Sequence, residues 1–292
     1  MWIFTREEIM KILLISGTHG NEQAAVYATS HALLKFKMAN NLSEVEYVTL
    51  NIPGLNQNTR EMPKPKAPNM DFNRAFGCEP EYDINDITKA LKERICDWAT
   101  AVVDVHNSPA CDNAILVSND KFAPAYIRFA IKHGIHYMLR ESSADTIKRY
   151  AIYSGRIGFT VEMGGMGFAP GFKDTIAKQT DFVYKLLDAL DDEPTTSFLS
   201  LNSDRHIPQQ YNMFPLHAHY QGIVRHLFAP GDSIKQGDTV FEILNPNTTG
   251  VLEEIIAPCD CILADCDDRL WSTPGMEVCS VQPIIPKEIV NG

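Results

Sequence analysis

The chain has 292 residues, of which 45% are hydrophobic and 22% are charged, and its formal net charge at pH 7 is −11. This length and composition are typical of a globular protein with a sizeable core. The negative charge and the pI near 5.3 argue against a surface that binds nucleic acid or anionic membranes. An anionic substrate would therefore need a local basic pocket.

The sequence shows no sign of export or membrane insertion. No apolar run approaches the roughly 18 residues that a membrane span needs. The first residues lack the basic start and apolar core of a signal peptide. The seven cysteines are an odd number and are scattered through most of the chain. We therefore expect a cytoplasmic protein whose thiols are free.

The first predicted elements surround a His-x-x-Glu pair, in the stretch Ile12-Leu13-Leu14-Ile15-Ser16-Gly17-Thr18-His19-Gly20-Asn21-Glu22. The apolar run predicts a buried strand of a parallel sheet, and residues 23–36 predict a helix packed on that sheet. His19 and Glu22 then lie at the carboxyl end of a strand, where open α/β sheets bind ligands. Imidazole and carboxylate groups suit Zn²⁺, and a catalytic zinc takes three protein ligands. A third ligand is expected elsewhere.

Strands and helices alternate over the following residues. Strands are predicted at residues 45–51, 101–107, 114–118 and 158–165, and helices at residues 84–98, 121–133 and 174–191. Residues 53–70 contain four prolines and predict a long loop with neither helix nor central strand. The alternation predicts an α/β sheet with both faces covered by helices.

The sequence changes character after the acidic stretch at residues 188–197. Turns marked by Pro230-Gly231, Gln236-Gly237 and Asn245-Pro246 separate short β-type runs, and no helix is evident. This pattern predicts a small all-β domain. We therefore expect two domains, at residues 1–198 and residues 199–292.

Two further predicted strands carry polar groups at their carboxyl ends. His106 can supply the third zinc ligand, although a strand-end histidine taken alone is more often structural. Asp104 lies on the same side of its strand as His106, and either orients a ligand histidine or caps a loop. Glu162 follows an apolar strand and either accepts a proton from water or pairs with an arginine.

Arg60 and Arg74 lie within and just after the proline-rich segment. The planar fork of a guanidinium binds a carboxylate through two parallel hydrogen bonds. A site that held both arginines would attract small acids despite the negative net charge of the chain. The alternative is that both are surface arginines.

Three motifs in this order carry a resemblance to a known family: Gly17-Thr18-His19-Gly20-Asn21-Glu22, Asp71-Phe72-Asn73-Arg74 and Asp104-Val105-His106-Asn107. The chain resembles the aspartoacylase/succinylglutamate desuccinylase family of zinc-dependent amidohydrolases. It is closer to the aspartoacylases in the residues of its Gly-Thr-His-Gly-Asn-Glu motif and in its overall length. The resemblance spans nearly the whole chain. It implies a zinc carboxypeptidase-like mixed sheet flanked by helices, followed by a β-domain that caps the active site.

The resemblance also implies roles for individual residues. One Zn²⁺ per chain would be held by His19, Glu22 and His106, with Glu162 as general base. Arg60 would polarise the scissile carbonyl, and the substrate would contact Asn73, Arg74 and Asn107. An arginine and a tyrosine before Glu162 would bind the side-chain carboxylate of the substrate. Arg149, Tyr150, Tyr153 and Arg156 all lie in that window without a unique alignment, and Arg156 and Tyr153 are our candidates.

The C-terminal region, residues 220–264, is similar to the barrel-sandwich of biotinyl and lipoyl carrier domains. It lacks their modifiable lysine, so we interpret it as a structural cap. Cys259, Cys261, Cys266 and Cys279 do not form a CxxC pair and are expected to be core cysteines.

The predicted function is hydrolysis of a small anionic N-acyl amino acid, with N-acetyl-L-aspartate as first candidate. Succinyl-glutamate or another N-acyl amino acid is the alternative among enzymes, and a carrier or binding module is the alternative outside them. The sequence leaves open whether the chain forms a homodimer.

Overall fold

A computed structural model describes residues 9–39, 41–62, 71–77, 86–108, 111–141, 145–165, 172–193, 207–267 and 269–291 of the chain. The strands of the first half are β1 (Lys11–Ser16), β2 (Glu44–Thr49), β3 (Ala101–Ser108), β4 (Ala114–Ser118), β5 (Tyr137–Arg140) and β6 (Ile157–Gly164). Those of the second half are β7 (Phe214–His217), β8 (Gly222–His226), β9 (Ser233–Ile234), β10 (Thr239–Leu244), β11 (Val251–Ile256), β12 (Cys261–Cys266), β13 (Trp271–Ser272) and β14 (Glu277–Pro283).

The helices are α1 (Gln23–Met38), α2 (Ile52–Gln57), α3 (Asp86–Asp97), α4 (Ala123–His133), α5 (Ile147–Tyr153), α6 (Phe172–Asp191) and α7 (Lys287–Asn291). Two short 3₁₀ helices cover Phe72–Arg74 and Gln209–Tyr211. None of the described helices is long and apolar enough to span a membrane.

The first six strands form one mixed sheet in the order β2-β1-β3-β6-β4-β5. Strands β2, β1, β3 and β6 are parallel, β4 is antiparallel to β6, and β5 is parallel to β4. The apolar runs of β1 and β3 are buried almost throughout, as expected for central parallel strands. The predicted mixed sheet is confirmed.

Two hydrophobic cores cover the two faces of this sheet. Ile12 and Leu14 of β1 belong to the core that includes residues of α1, α4 and α6. Leu13 and Ile15 point the other way, into the core that includes residues of α3 and α5. This division follows from the alternation of side chains along a strand. The prediction that helices cover both faces is confirmed.

The C-terminal region contains two four-stranded antiparallel sheets, β11-β10-β8-β13 and β7-β14-β12-β9. Residues of both sheets, including Phe241 and Val281, share one hydrophobic core. The all-β prediction is confirmed for these strands. It missed two helical segments, Gln209–Tyr211 and α7, and Val290 of α7 packs into the core beneath α4. The predicted domain division at residues 198 and 199 lies outside the described residues and stays a prediction.

The prediction of an unbroken loop over residues 53–70 is wrong at its beginning, where α2 forms. Proline is tolerated in the first turn of a helix because no intrahelical acceptor awaits its nitrogen there. Pro53 occupies that turn. The side chain of Asn51 caps the helix by accepting a hydrogen bond from the Gly54 amide at 2.9 Å. Residues 63–70 lie outside the described part of the chain.

Helix α5 lies directly on β6 at a position where the strand has a glycine. A β-carbon at Gly158 would lie 2.6 Å from the carbonyl oxygen of Lys148. We expect Gly158→Ala to lower the free energy of unfolding by about 1–3 kcal/mol, because α5 must shift to relieve the overlap. Urea denaturation measures this change. Gly250→Ala is the control, since its nearest neighbour would be Thr248 Oγ1 at 3.4 Å. Equal stability of the two variants would contradict this packing.

Candidate active site

The carboxyl ends of β1 and β3 bring three ionisable side chains together in the interior. β1 ends at Ser16, and Gly17 turns the chain with a φ of 66°, a conformation that glycine adopts without strain. His19 and Glu22 follow in the loop before α1, and His106 projects from β3. Each of the three is at most 4% exposed.

The potential metal-binding atoms of these residues face one another. His19 Nδ1 lies 2.7 Å from Glu22 Oε1, and His106 Nδ1 lies 3.0 Å from Glu22 Oε2. The two Nδ1 atoms are 3.2 Å apart. Two nitrogens bound to one tetrahedral zinc at roughly 2.0–2.1 Å would be about 3.3 Å apart. The residues therefore fit a zinc ion, and among the described residues they form the one such group of three or more His, Cys, Asp or Glu.

The other ring nitrogen of each histidine contacts a carboxylate. His106 Nε2 lies 2.7 Å from Asp104 Oδ2, and His19 Nε2 lies 3.1 Å from Asp71 Oδ1. Asp104 is fully buried and also accepts a hydrogen bond from the Thr18 hydroxyl at 2.7 Å. Carboxylates in this position orient metal-binding histidines and make them stronger ligands. The structure thus favours an orienting role for Asp104 over a loop cap.

These contacts change the acidity of the cluster. Burial by itself would lower the pKa of His106, but the charges of Asp104 and Glu22 raise it well above its ordinary value. Burial would raise the pKa of Glu22, but the charge and hydrogen bond of His106 outweigh it and lower that pKa to about 2. The cluster therefore holds an ionised carboxylate between two imidazoles.

Glu162 lies beside this cluster on the neighbouring strand. β6 pairs in parallel with β3, and Glu162 is the residue opposite His106. Its side chain lines the same cavity, and burial raises its pKa, partly offset by His106. The side chain of Glu162 has no hydrogen-bond partner among the residues that the structure describes. It is placed to exchange a proton with a molecule in the cavity.

Arg60, Asn73 and Arg74 approach the cluster from the segment between β2 and α3. Arg60 is half-exposed, with its guanidinium nitrogens 3.7 Å from Glu22 Oε1 and 3.6 Å from Asp71 Oδ2. Asn73 Nδ2 lies 3.4 Å from His106 Nε2. Arg74 is exposed and donates to the carbonyl oxygen of Asn73 at 2.9 Å. All three line the cavity.

The cavity has a volume of about 550 Å³. Positively charged side chains surround it, although the chain as a whole is acidic. The ionisable side chains that line it are His19, Glu22, Arg60, Arg74, His106, Arg140, Glu141, Lys148 and Glu162. This is the local basic pocket that an anionic substrate would need.

Two of the predicted substrate-binding residues, Arg156 and Tyr153, lie outside the cavity, and the side chain of a third, Asn107, is held by the backbone. Arg156 lies just before the amino end of β6, whereas Glu162 lies near its carboxyl end. The Arg156 guanidinium donates to the Cys96 carbonyl oxygen. Tyr153 ends α5, is 58% exposed and interacts with Arg149. Neither lines the cavity. Asn107 does line it, but its amide donates to the carbonyl oxygens of Met163 and Gly165, which gives it a structural role.

The structure adds three residues that the sequence analysis gave no role. Asp71 orients His19, and its place in the Asp-Phe-Asn-Arg motif was a usable signal. Arg140 is the last residue of β5, a strand that the sequence analysis did not predict. Lys148 lies in the first turn of α5, a helix that the sequence analysis did not predict.

The comparisons with known proteins bear directly on this site. A family model described as the succinylglutamate desuccinylase/aspartoacylase catalytic domain matches residues 8–190. The chain belongs to this family. Members of the succinylglutamate desuccinylase/aspartoacylase family are deacylases, so the chain is an enzyme of the N-acyl amino acid deacylase type.

Several solved structures share the fold of this family member. A succinylglutamate desuccinylase/aspartoacylase from Rhodobacter sphaeroides is 17% identical, with a TM-score of 0.64 over 94% of this chain and 86% of that one. An aspartoacylase family protein from Mesorhizobium loti is 17% identical, with a TM-score of 0.67 over 96% and 88%. The product-bound ectoine utilization protein EutE from Ruegeria pomeroyi is 15% identical, with a TM-score of 0.64 over 94% and 86%. No curated protein matches the chain significantly.

The geometry predicts that Asp104 supports metal binding through His106. We expect Asp104→Asn to lower the affinity for Zn²⁺ roughly 10- to 100-fold, because the imidazole loses its charged hydrogen-bond partner. Competition with a chromogenic chelator measures the affinity. Thr18→Val is the matched control, since it removes only the second hydrogen bond of Asp104 and should change the affinity less. Unchanged affinity in Asp104→Asn would contradict this role.

Proposed function

We propose that this family member is a zinc-dependent deacylase that hydrolyses an N-acyl amino acid, with N-acetyl-L-aspartate as first candidate. The observation that carries the proposal is the buried cluster of His19, Glu22 and His106 with Glu162 opposite His106 on the next strand. Both histidines also have carboxylate partners, as metal-binding histidines usually do.

His19, Glu22 and His106 would hold the metal. When bound, Zn²⁺ polarises the amide carbonyl as a Lewis acid and lowers the pKa of water. Three protein ligands leave a fourth position for water or substrate, as in other catalytic zinc sites. Asp71 and Asp104 keep the ring nitrogens oriented toward the centre of the cluster.

Glu162 acts as the general base. Its carboxylate accepts a proton from the attacking water and then gives that proton to the leaving nitrogen. The pKa that burial raises suits this exchange, because a base works best when its pKa approaches the working pH.

Arg60 stabilises the negative charge that develops on the amide oxygen. Its guanidinium lies within 4 Å of Glu22 and Asp71 and is half-exposed at the cavity. A fixed cation next to a developing oxyanion lowers the barrier without reorganisation during the reaction.

Arg74 and Asn73 bind the α-carboxylate of the amino acid. Arg74 is exposed to the cavity, and one of its nitrogens is fixed by the Asn73 carbonyl. The remaining guanidinium donors can form the paired hydrogen bonds that carboxylates favour. Succinyl-glutamate and other N-acyl amino acids satisfy the same requirement, so kinetics across such substrates must decide among them.

The cysteines are consistent with a reducing compartment. All six cysteines in the described part of the chain are free. Structural disulfides are rare in the cytoplasm. We therefore propose that the enzyme works there.

Glu162→Gln tests the proposed reaction. We expect kcat to fall roughly 10²- to 10⁴-fold, because the amide cannot exchange the proton, while the zinc content stays normal. Glu141→Gln is the control, since it removes a carboxylate from the same cavity and should keep kcat close to the wild-type value. Hydrolysis of N-acetyl-L-aspartate and metal analysis give the two readouts. Full activity of zinc-loaded Glu162→Gln would rule out the general-base role.

A further inference from the structure

The position of Glu162 depends on the backbone of β6, because its side chain has no hydrogen-bond partner among the described residues. Glu162 lies two residues before the end of this strand at Gly164. Strand ends are the first parts of a sheet to open unless other contacts hold them. The groups that hold this end therefore determine how closely Glu162 keeps its place beside His19, Glu22 and His106.

Two buried amide side chains bind the backbone carbonyl oxygens at this end of β6. Asn107 of β3 donates to the carbonyl oxygens of Met163 and Gly165 at 3.2 and 3.3 Å. Gln179 of α6 donates to those of Gly164 and Gly165 at 2.7 and 3.3 Å. Both side chains are almost fully excluded from solvent. The carbonyl oxygens of all three residues that follow the proposed general base are therefore bound by side chains.

Asn113 holds the same strand end from the side of β4. That strand pairs with β6 as far as Ala114, which lies opposite Glu162. Beyond this pair, the Asn113 side chain accepts a hydrogen bond from the Gly164 amide at 3.2 Å. Glycine is required here, because a β-carbon at Gly164 would lie 1.8 Å from the carbonyl oxygen of Cys111. The segment before β4 therefore packs directly on the end of β6.

Asn107 also binds the other half of the site. Its backbone amide donates to Glu22 Oε2 at 3.2 Å, and its side-chain oxygen accepts from the Ala25 amide. Glu22 is the N-cap residue of α1 but makes no side-chain cap, because its carboxylate faces the two histidines. Asn107 provides that cap from β3 instead. One side chain thus connects the loop of a proposed metal ligand to the strand of the proposed base.

The placement of these amides favours a role in catalysis over a role in folding alone. The pairing with β3 already holds β6 along its whole length. All three amide side chains nevertheless act on the three residues that follow Glu162. Gln179 is fully buried, yet its Oε1 has no hydrogen-bond partner within the described ranges. An unbound buried polar atom lowers stability, and proteins accept such losses mainly at functional sites.

We propose that Asn107, Asn113 and Gln179 are positioning residues, which fix the end of β6 and so hold Glu162 at its working distance from the metal ligands. The inference rests on the proposed deacylase function and deepens it. It gives Asn107, which the sequence analysis placed against the substrate, a different role. A displacement of about 1 Å in a catalytic group can lower the rate roughly 10²-fold, so such a role has a measurable effect.

The variants Gln179→Met and Asn113→Ala test the role, because neither side chain lines the cavity or contacts the metal cluster. We expect each to lower kcat for N-acetyl-L-aspartate roughly 10- to 100-fold, with KM and zinc content unchanged, because only the base is displaced. Ser272→Ala is the matched control. The buried Ser272 hydroxyl binds the carbonyl oxygens of Tyr220 and Gly222 in the C-terminal region, so its loss should leave kcat at the wild-type value.

A double-mutant cycle with Glu162→Gln separates positioning from a general structural effect. If Gln179 acts through Glu162, Gln179→Met should lower kcat in the wild-type background and leave it almost unchanged in the Glu162→Gln background, because residues that act as a unit are not additive. An equal fold-loss in both backgrounds would overturn the proposal. So would wild-type kcat values in both Gln179→Met and Asn113→Ala.

Asn107→Leu should give a different pattern of losses. Its contacts reach Glu22 and Ala25 as well as β6, so we expect a roughly tenfold lower zinc affinity together with a lower kcat. Gln179→Met should lower kcat alone. Chelator competition measures the affinity, and kcat is determined per zinc-loaded chain well below the melting temperature of each variant. A loss of zinc affinity in Gln179→Met as large as that in Asn107→Leu would contradict the separate roles and overturn the proposal.

Hydrogen exchange provides a readout that does not depend on activity. We expect the Gly164 and Gly165 amides to exchange roughly tenfold faster in Gln179→Met than in wild type or Ser272→Ala, because the strand end opens more often. Unchanged exchange would overturn the proposal. An inactive Glu162→Gln with additive effects in the cycle would also overturn it and leave the deacylase function intact. Full activity of Glu162→Gln would instead overturn the general-base role and this inference with it.

Discussion

The burial of two imidazoles against one carboxylate is the constraint on which the active site depends. His19, His106 and Glu22 are almost fully excluded from solvent, and such groups are unfavourable inside a protein unless each has partners. Asp71 and Asp104 provide those partners for the histidines, and Thr18 in turn binds Asp104. The cluster therefore needs contributions from β1, β3 and the Asp71 segment at once, which ties its geometry to the fold.

The mixed topology of the sheet explains how one cavity extends from the His19, Glu22 and His106 cluster across the face of the sheet. The parallel strands β1, β3 and β6 bring the proposed metal ligands and Glu162 to one edge. Because β4 and β5 run in the opposite direction, the residues near their carboxyl ends lie further down the same face. The cavity can thus extend away from the metal cluster, across the sheet, to Arg140.

Much of this arrangement was predictable from the sequence, and the exceptions have physical causes. The apolar runs and the three motifs predicted five of the six strands of the sheet, the helices α1, α3, α4 and α6, and the cluster, because buried parallel strands and strand-end ligands leave strong local patterns. Helix α2 was missed because prolines generally break helices, although Pro53 lies in a first turn where it is tolerated. Arg156 and Tyr153 were selected by distance along the chain from Glu162. Arg140 reaches the cavity only through the pairing of β4 with β5, which sequence spacing does not reveal.

The most direct test of the account is the zinc content of the purified protein, measured beside hydrolysis of N-acyl amino acids, for wild type and His19→Ala. The account predicts close to one zinc per wild-type chain with turnover, and loss of both in the variant, because His19 provides one of three ligands. A folded wild-type protein that binds no zinc even after reconstitution would contradict it, as would a His19→Ala variant that keeps full activity.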